Sequence, residues 1–146
     1  MTVWNEVTSQ DDLNMFMNQF GGFHDSCIKE LKYISGAFVC KDLSMHPINS
    51  ERVVKIIFQR QYDNPSVIEI EFGGVVKLSL FPMNEDYTCE ITGATMILCN
   101  SLFYWCDSGG ISATDLEGYE GTLICSKVVK WREADEFIGK KEVYKA

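Results

Sequence analysis

Leu13, Phe16, Met17 and Phe20 fall at positions i, i+3, i+4 and i+7, one face of a helix. Ser9 caps its start, Asp12 three residues on completes a capping-box pattern, and Asp11 adds negative charge to the first turn. Gly21 and Gly22 end it, because glycine enters the left-handed region cheaply. The pattern therefore predicts a helix over about residues 9–20.

Downstream of the diglycine the hydrophobic period changes to that of strands. The pattern predicts strands over 27–34, 37–45 and 52–60, with a turn at "DNPS" (63–66). In "VIEIEFGGVVKLSLF" (67–81), Ile68, Ile70 and Phe72 alternate with Glu69 and Glu71, and Val76, Leu78 and Leu80 alternate with Lys77 and Ser79. A three-residue loop, Phe72-Gly73-Gly74, keeps both faces pure, with Ile70 opposite Val76 and Glu69 opposite Lys77. The expectation is a bulged hairpin with one face on the core and one in water. Further strands are expected over 87–100, with an interruption at Gly93, then over 101–107 and 122–133. The last should be central, with Leu123, Cys125, Val129 and Trp131 on one face and Ile124 and Val128 on the other. Residues 112–121 are expected to hold one helical turn capped by Ser112 or Thr114, and residues from 134 a charged tail.

One helix followed by about eight strands, without alternating helices, excludes a parallel α/β sheet. The expected fold is α+β, mainly β. Its N-terminal helix packs on mostly antiparallel strands that form a curved sheet, sandwich or partial barrel, all within one domain spanning 1–146.

Composition changes this picture little. The 146 residues are 46% hydrophobic and 23% charged, ordinary for a globular chain. Net charge is −8, and thirds of the sequence carry −3, −3 and −2, so charge looks evenly spread along the chain. No basic stripe suggests nucleic acid, and the acidic balance suits a basic protein partner. No signal peptide or apolar run long enough for a membrane is read, so a cytoplasmic protein, with no membrane association and reduced cysteines, is expected. The six cysteines form no C-x-x-C pair.

Candidate chemistry is sparse. No phosphate loop, dinucleotide fingerprint, zinc-protease or nucleophile-elbow motif occurs, and neither a metal nor a cofactor is expected. Two histidines are present, His24 and His46. His24, Asp25 and Ser26 lie where helix passes to strand and admit two readings, a small binding site or a hydrogen-bonded corner. Neighbours on a strand point to opposite faces, so His24 and Asp25 converge only if the junction is irregular. His46, before Pro47, reads as a solvent-exposed loop residue. In "FYWC" (103–106), Phe103 and Trp105 share one face and Tyr104 and Cys106 the other. Whichever pair is not core offers Tyr104 or Trp105 as an interface anchor.

The segments "GGFHDSCIKELKYISG", "IIFQRQYDNPSVIEIEF", "LFYWCD" and "YEGTLICSKVVKWRE" together resemble a group of small bacterial proteins without an assigned activity. The "FHDS" corner is the most distinctive part. More distantly, this corner followed by strands resembles immunity proteins of bacterial polymorphic toxin systems. That resemblance implies binding and blocking a toxin, with His24 and Asp25 as the matching positions. The leading expectation is a non-catalytic protein-binding module. The alternative is a small-molecule or metal-binding protein, or an enzyme, with its site near His24, Asp25 and Ser26. A homodimer built on an exposed sheet face or edge is a third expectation.

Overall fold

The computed structural model describes residues 3–145. Its helix α1 (Gln10–Gln19) follows a short strand β1 (Asn5–Val7), and eight strands come after it. These are β2 (Ser26–Ile34), β3 (Phe38–Val39), β4 (Met45–His46), β5 (Val53–Arg60), β6 (Val67–Ser79), β7 (Thr95–Cys99), β8 (Leu102–Cys106) and β9 (Leu123–Glu133). The fold is α+β and mainly β, as the pattern predicts. A seven-stranded antiparallel sheet runs β2-β5-β6-β9-β8-β7, with β1 also on β9, and β3 and β4 form a separate two-stranded hairpin. The sheet is not closed into a barrel. A single bridge, Ser26 to Ile91, joins edge strand β2 to the segment before β7.

The helix begins as its cap predicts. Ser9 Oγ accepts from the Asp12 amide at 3.1 Å. The Asp12 carboxylate reaches one residue further back than a capping box requires, accepting from the Thr8 amide at 3.0 Å and the Thr8 hydroxyl at 2.9 Å. Leu13, Phe16 and Phe20 are buried, and Met17 packs against the same core.

Residues 67–81 do not form a hairpin. Val67–Ser79 is one strand running straight through the two glycines, with Ile70 opposite Ile56 on β5 and Trp131 on β9. The glycines mark a bend instead. Before it, Ile68, Ile70 and Phe72 enter the main core; after it, Val75 and Leu78 do. Its partner β9 switches likewise, from Ile124 to Val129 and Trp131, across Lys127 and Val128. The predicted face grouping in β9 is corrected accordingly. Leu123 and Cys125 belong to a separate outer cluster and Val128 is exposed, while the central position of β9 is as expected. Gly74 has φ +59°, and a Cβ on Gly73 would stand 2.6 Å from Val128 Cγ2. Glycine suits the bend because it permits both the dihedral and the close approach. The sheet thus folds over itself, and α1 fills the space inside.

The second face is also covered, which the alternation does not predict. Residues after β9 fold back so that Phe137, Val143 and Tyr144 pack on Ile57, Val67 and Ala134. Beneath this strap Glu69 is buried. Its carboxylate accepts from Arg132 Nε at 2.7 Å and from the Tyr144 hydroxyl at 2.5 Å. A buried carboxylate is tolerable only with such partners. At the other end, residues of the 107–122 loop cover β8 and β9, with Leu116, Ile111 and Tyr119 against Cys106, Leu123 and Cys125.

Other boundaries shift. The segment expected as one strand over 37–45 is the β3–β4 arm with a turn between. Of the strand expected over 87–100, only Thr95–Cys99 is regular. The helical turn at Ala113–Asp115 is capped by Ser112, as predicted. Among the described residues no helix is long and apolar enough to cross a membrane.

Candidate functional site

The corner after α1 is irregular in a specific way. Gly21, Gly22 and Phe23 have φ of +60°, +62° and +65°, and Asp25 has +55°. A left-handed L-residue costs about 1–2 kcal/mol. Phe23 meets that cost by burial, with its ring 4.9 Å from Phe20, 4.9 Å from Phe58 and 5.6 Å from Trp105. Each such edge contact contributes about 0.5–1.5 kcal/mol beyond the burial of a large side chain.

This twist decides where the predicted site residues go. His24 Nδ1 lies 3.0 Å from Asp25 Oδ2, both side chains largely exposed. The left-handed Asp25 is what brings two sequence neighbours to the same side. Ser26 is buried, and its hydroxyl donates to the Phe23 carbonyl at 2.6 Å. The Asp25 carbonyl accepts from the Gln61 amide at 3.0 Å. Ser26 therefore locks the corner, while His24 and Asp25 face outward. A pocket of about 220 Å³ is lined by Gly21, His24, Asp25, Arg60 and Tyr62. Beside it, a wider cleft of about 620 Å³ takes Asp25, Ser26, Cys27 and Arg60 on one side and Tyr87, Cys89 and Glu90 on the other.

Trp105 is fully buried and Tyr104 half-buried in the outer cluster, so neither is an exposed anchor. The exposed apolar side chains are elsewhere. The β3–β4 arm carries Phe38, Val39, Leu43, Met45 and Ile48 in solvent, and His46 stacks on Phe38 at 4.6 Å. Leu80, Phe81, Met83 and Tyr87 are exposed on the segment after β6.

That segment carries part of a charge distribution that counting by thirds of the sequence conceals. Residues 80–94 hold Glu85, Asp86 and Glu90 and no basic residue; residues 107–121 hold Asp107, Asp115, Glu117 and Glu120 and no basic residue. These two segments account for seven of the eight net negative charges, the rest of the chain having 13 basic against 14 acidic residues. The fold brings them together. A Cβ on Gly93 would stand 4.0 Å from Gly109 Cα, the Phe81 amide donates to Thr122 Oγ1 at 3.1 Å, and the Thr95 hydroxyl donates to the Ser108 carbonyl at 2.7 Å. Between them lies a groove of about 280 Å³ walled by Ile28, Leu80, Phe81, Pro82, Met83 and Ile91, with Asp107 and Thr122 at its side. The Tyr119 hydroxyl donates to Asp107, and burial followed by this carboxylate pushes the tyrosine well above its usual range. Sequence thirds average the two loops with basic strands, which hides the patch. Counting charge per loop would have found it.

Among the described residues no group of three or more His, Cys, Asp or Glu side chains is arranged to hold a metal ion. Comparison with protein-family models, with curated proteins and with solved structures finds no match.

Proposed function

We propose that this chain is a protein-binding module, immunity-like in action, which receives a basic partner such as a toxin on its acidic end. One observation carries the reading: seven of the eight net negative charges stand on two adjoining loops around an apolar groove. Potential of one sign over a surface steers an opposite partner and fixes its register, while the apolar centre supplies affinity. The polar rim and exposed Leu80, Phe81 and Met83 provide both elements.

The test is capture of the partner from native cells by the immobilised chain, followed by crosslink mapping. A stoichiometric partner with a basic surface is expected, linked to residues 80–94 and 107–121 and released by salt. Neutralising Glu85, Asp86, Glu117 and Glu120 to their amides should weaken it at least tenfold. No stoichiometric partner, or one held equally well by the neutralised chain, overturns the proposal.

A second reading, a small-molecule site, is favoured by the cleft beside Asp25 and Arg60. A thermal-shift screen of small anions and cations tests it, with Asp25→Ala and Arg60→Met as controls. A hit that both variants keep would place the ligand elsewhere.

A further inference from the structure

The β3–β4 arm is apolar on both faces and buried on neither. Its two strands pair only with each other among the described residues. A ribbon of that kind is marginal in water without a further strand or a covering face. Phe38 stands opposite His46, its ring stacked on the imidazole, and Val39 stands opposite Met45, all four exposed. Leu43 sits at the tip with φ +71° and is 82% exposed. Glycine is what a left-handed tip position favours. Phe23 offsets the same strain by burial, whereas Leu43 buries almost nothing within the chain. The arm is nonetheless firmly presented, because the Glu51 and Arg52 amides both donate to the Ser35 carbonyl at its neck, at 3.0 Å and 3.2 Å.

The two edges of the arm differ. The Cys40 amide donates to the Ser44 carbonyl at 2.8 Å, which makes Cys40–Ser44 and, two positions on, Phe38–His46 the hydrogen-bonded pairs. Val39 and Met45 therefore turn their backbone N–H and C=O groups outward, Val39 on the β3 edge and Met45 on the β4 edge. Pro47 follows β4, and without an N–H it blunts that edge. From Gly36 to Cys40 the β3 edge holds neither proline nor charge, so it is open to one more strand. Charge selects that strand. Residues 35–50 hold one basic and one acidic residue, Lys41 and Asp42, in a chain of net charge −8. A basic partner is drawn to the acidic end rather than to this neutral arm. A second copy of the chain meets its least repulsion here, and a two-fold axis sets the same edge against itself.

We propose that two copies of the chain join through β3, antiparallel about Val39, to form a four-stranded sheet ordered β4-β3-β3-β4. Val39 of each copy exchanges both outward backbone hydrogen bonds with its counterpart, and Phe38 stands opposite Cys40 of the second copy. That register carries each tip, with Leu43, along the neck of the other arm, where the exposed leucine gains a neighbour. The acidic end takes no part in the pairing and stays available in both copies.

The experiment is sedimentation velocity of the full chain from micromolar to millimolar concentration, in low and high salt. A concentration-dependent dimer is expected, tighter in high salt because two acidic chains then repel each other less. Salt acts with the opposite sign on capture of a basic partner, so failure here is distinct from failure to bind one. Val39→Pro deletes the outward N–H and leaves the arm's own ladder intact. It should weaken the dimer at least tenfold without lowering the melting temperature of the monomer. Met45→Pro makes the same change on the blunted edge and should leave the dimer intact. Leu43→Gly relieves the tip, so it should keep or raise the melting temperature and yet weaken the dimer. A chain that stays monomeric throughout, a dimer that Val39→Pro or Leu43→Gly leaves at full strength, one that Met45→Pro abolishes, or one that loosens in salt overturns the proposal.

Discussion

The Phe58 ring on β5 lies 5.2 Å from the Trp105 ring on β8, although β6 and β9 stand between those strands in the sheet. In a flat sheet three strand steps would hold them about 14 Å apart. Their contact measures how far the sheet folds over at Gly73–Gly74. Trp105 is fully buried and its indole N–H has no hydrogen-bond partner among the described residues. Trp105→Ala should cost about 3–5 kcal/mol. Trp105→Phe should cost much less, because it retains a ring and removes an unpaired donor. Chemical denaturation checks both, and equal losses would contradict this account of the contact.

The bend itself is open to a paired test. Gly73→Ala places a methyl group 2.6 Å from Val128 Cγ2, so the single substitution should destabilise the chain. Val128 is exposed, and Val128→Ala alone should be nearly neutral. The double variant should recover most of the loss. A double-mutant cycle with no coupling would show that the close approach does not set the choice of glycine.

Phe23 offers a contest between strain and burial. Phe23→Gly removes the left-handed penalty of about 1–2 kcal/mol. It also empties a core site, at a cost of about 3–5 kcal/mol by analogy with aromatic truncation to alanine. A net loss in thermal or urea unfolding is therefore expected, and a gain would show the ring to be poorly packed.

How much of this was legible beforehand depends on whether the deciding partner lies nearby in sequence. The helix was readable because Ser9, Asp12 and the Leu13–Phe16–Phe20 face are local. So was the central position of β9, whose apolar residues on both faces need two covers. The diglycine was not. "EFGGVV" suits a hairpin as well as a bend, and the choice is made by β5 and β9, which flank β6 on its two sides. Burial of Glu69 depends on Arg132 and Tyr144, more than sixty positions away. His24 and Asp25 converge through one left-handed residue, which the period-two rule does not anticipate. The acidic end arises from two loops that only the fold makes neighbours.

The C-terminal strap should be acid-sensitive. The Val143 and Tyr144 amides donate to the Glu30 carboxylate at 2.6 Å and 2.9 Å. The Tyr144 bond, then Lys29, hold Glu30 down at about 2, against an ordinary value of 4.5. A carboxyl group lowered on folding stabilises fully above its unfolded value. That support is lost as pH falls from about 4.5 through about 2. Protection of the Val143 and Tyr144 amides, relative to their intrinsic exchange rate at each pH, should fall across this window, and Glu30→Gln should show the lower protection already at pH 6. Exchange unaffected by the substitution would leave Glu30 without a role in holding the strap.

The acidic end should carry a stability cost of its own. Crowded like charges repel within one chain and more weakly in salt. Neutralising Glu85, Asp86, Glu117 and Glu120, none of which caps a turn as Asp115 does, should raise the melting temperature at low ionic strength. The gain should shrink in salt. A fall in melting temperature would make these carboxylates structural supports instead.

The central place of β9 bears on how the protein is made. This strand joins β1, β6 and β8, yet it leaves the ribosome after all three. Until it emerges, β6 and β8 have no common neighbour and Asn5 waits for Trp131. Core closure must therefore wait for synthesis of residues 123–133, leaving the nascent β5–β6 pair with an uncovered apolar face that invites chaperone binding.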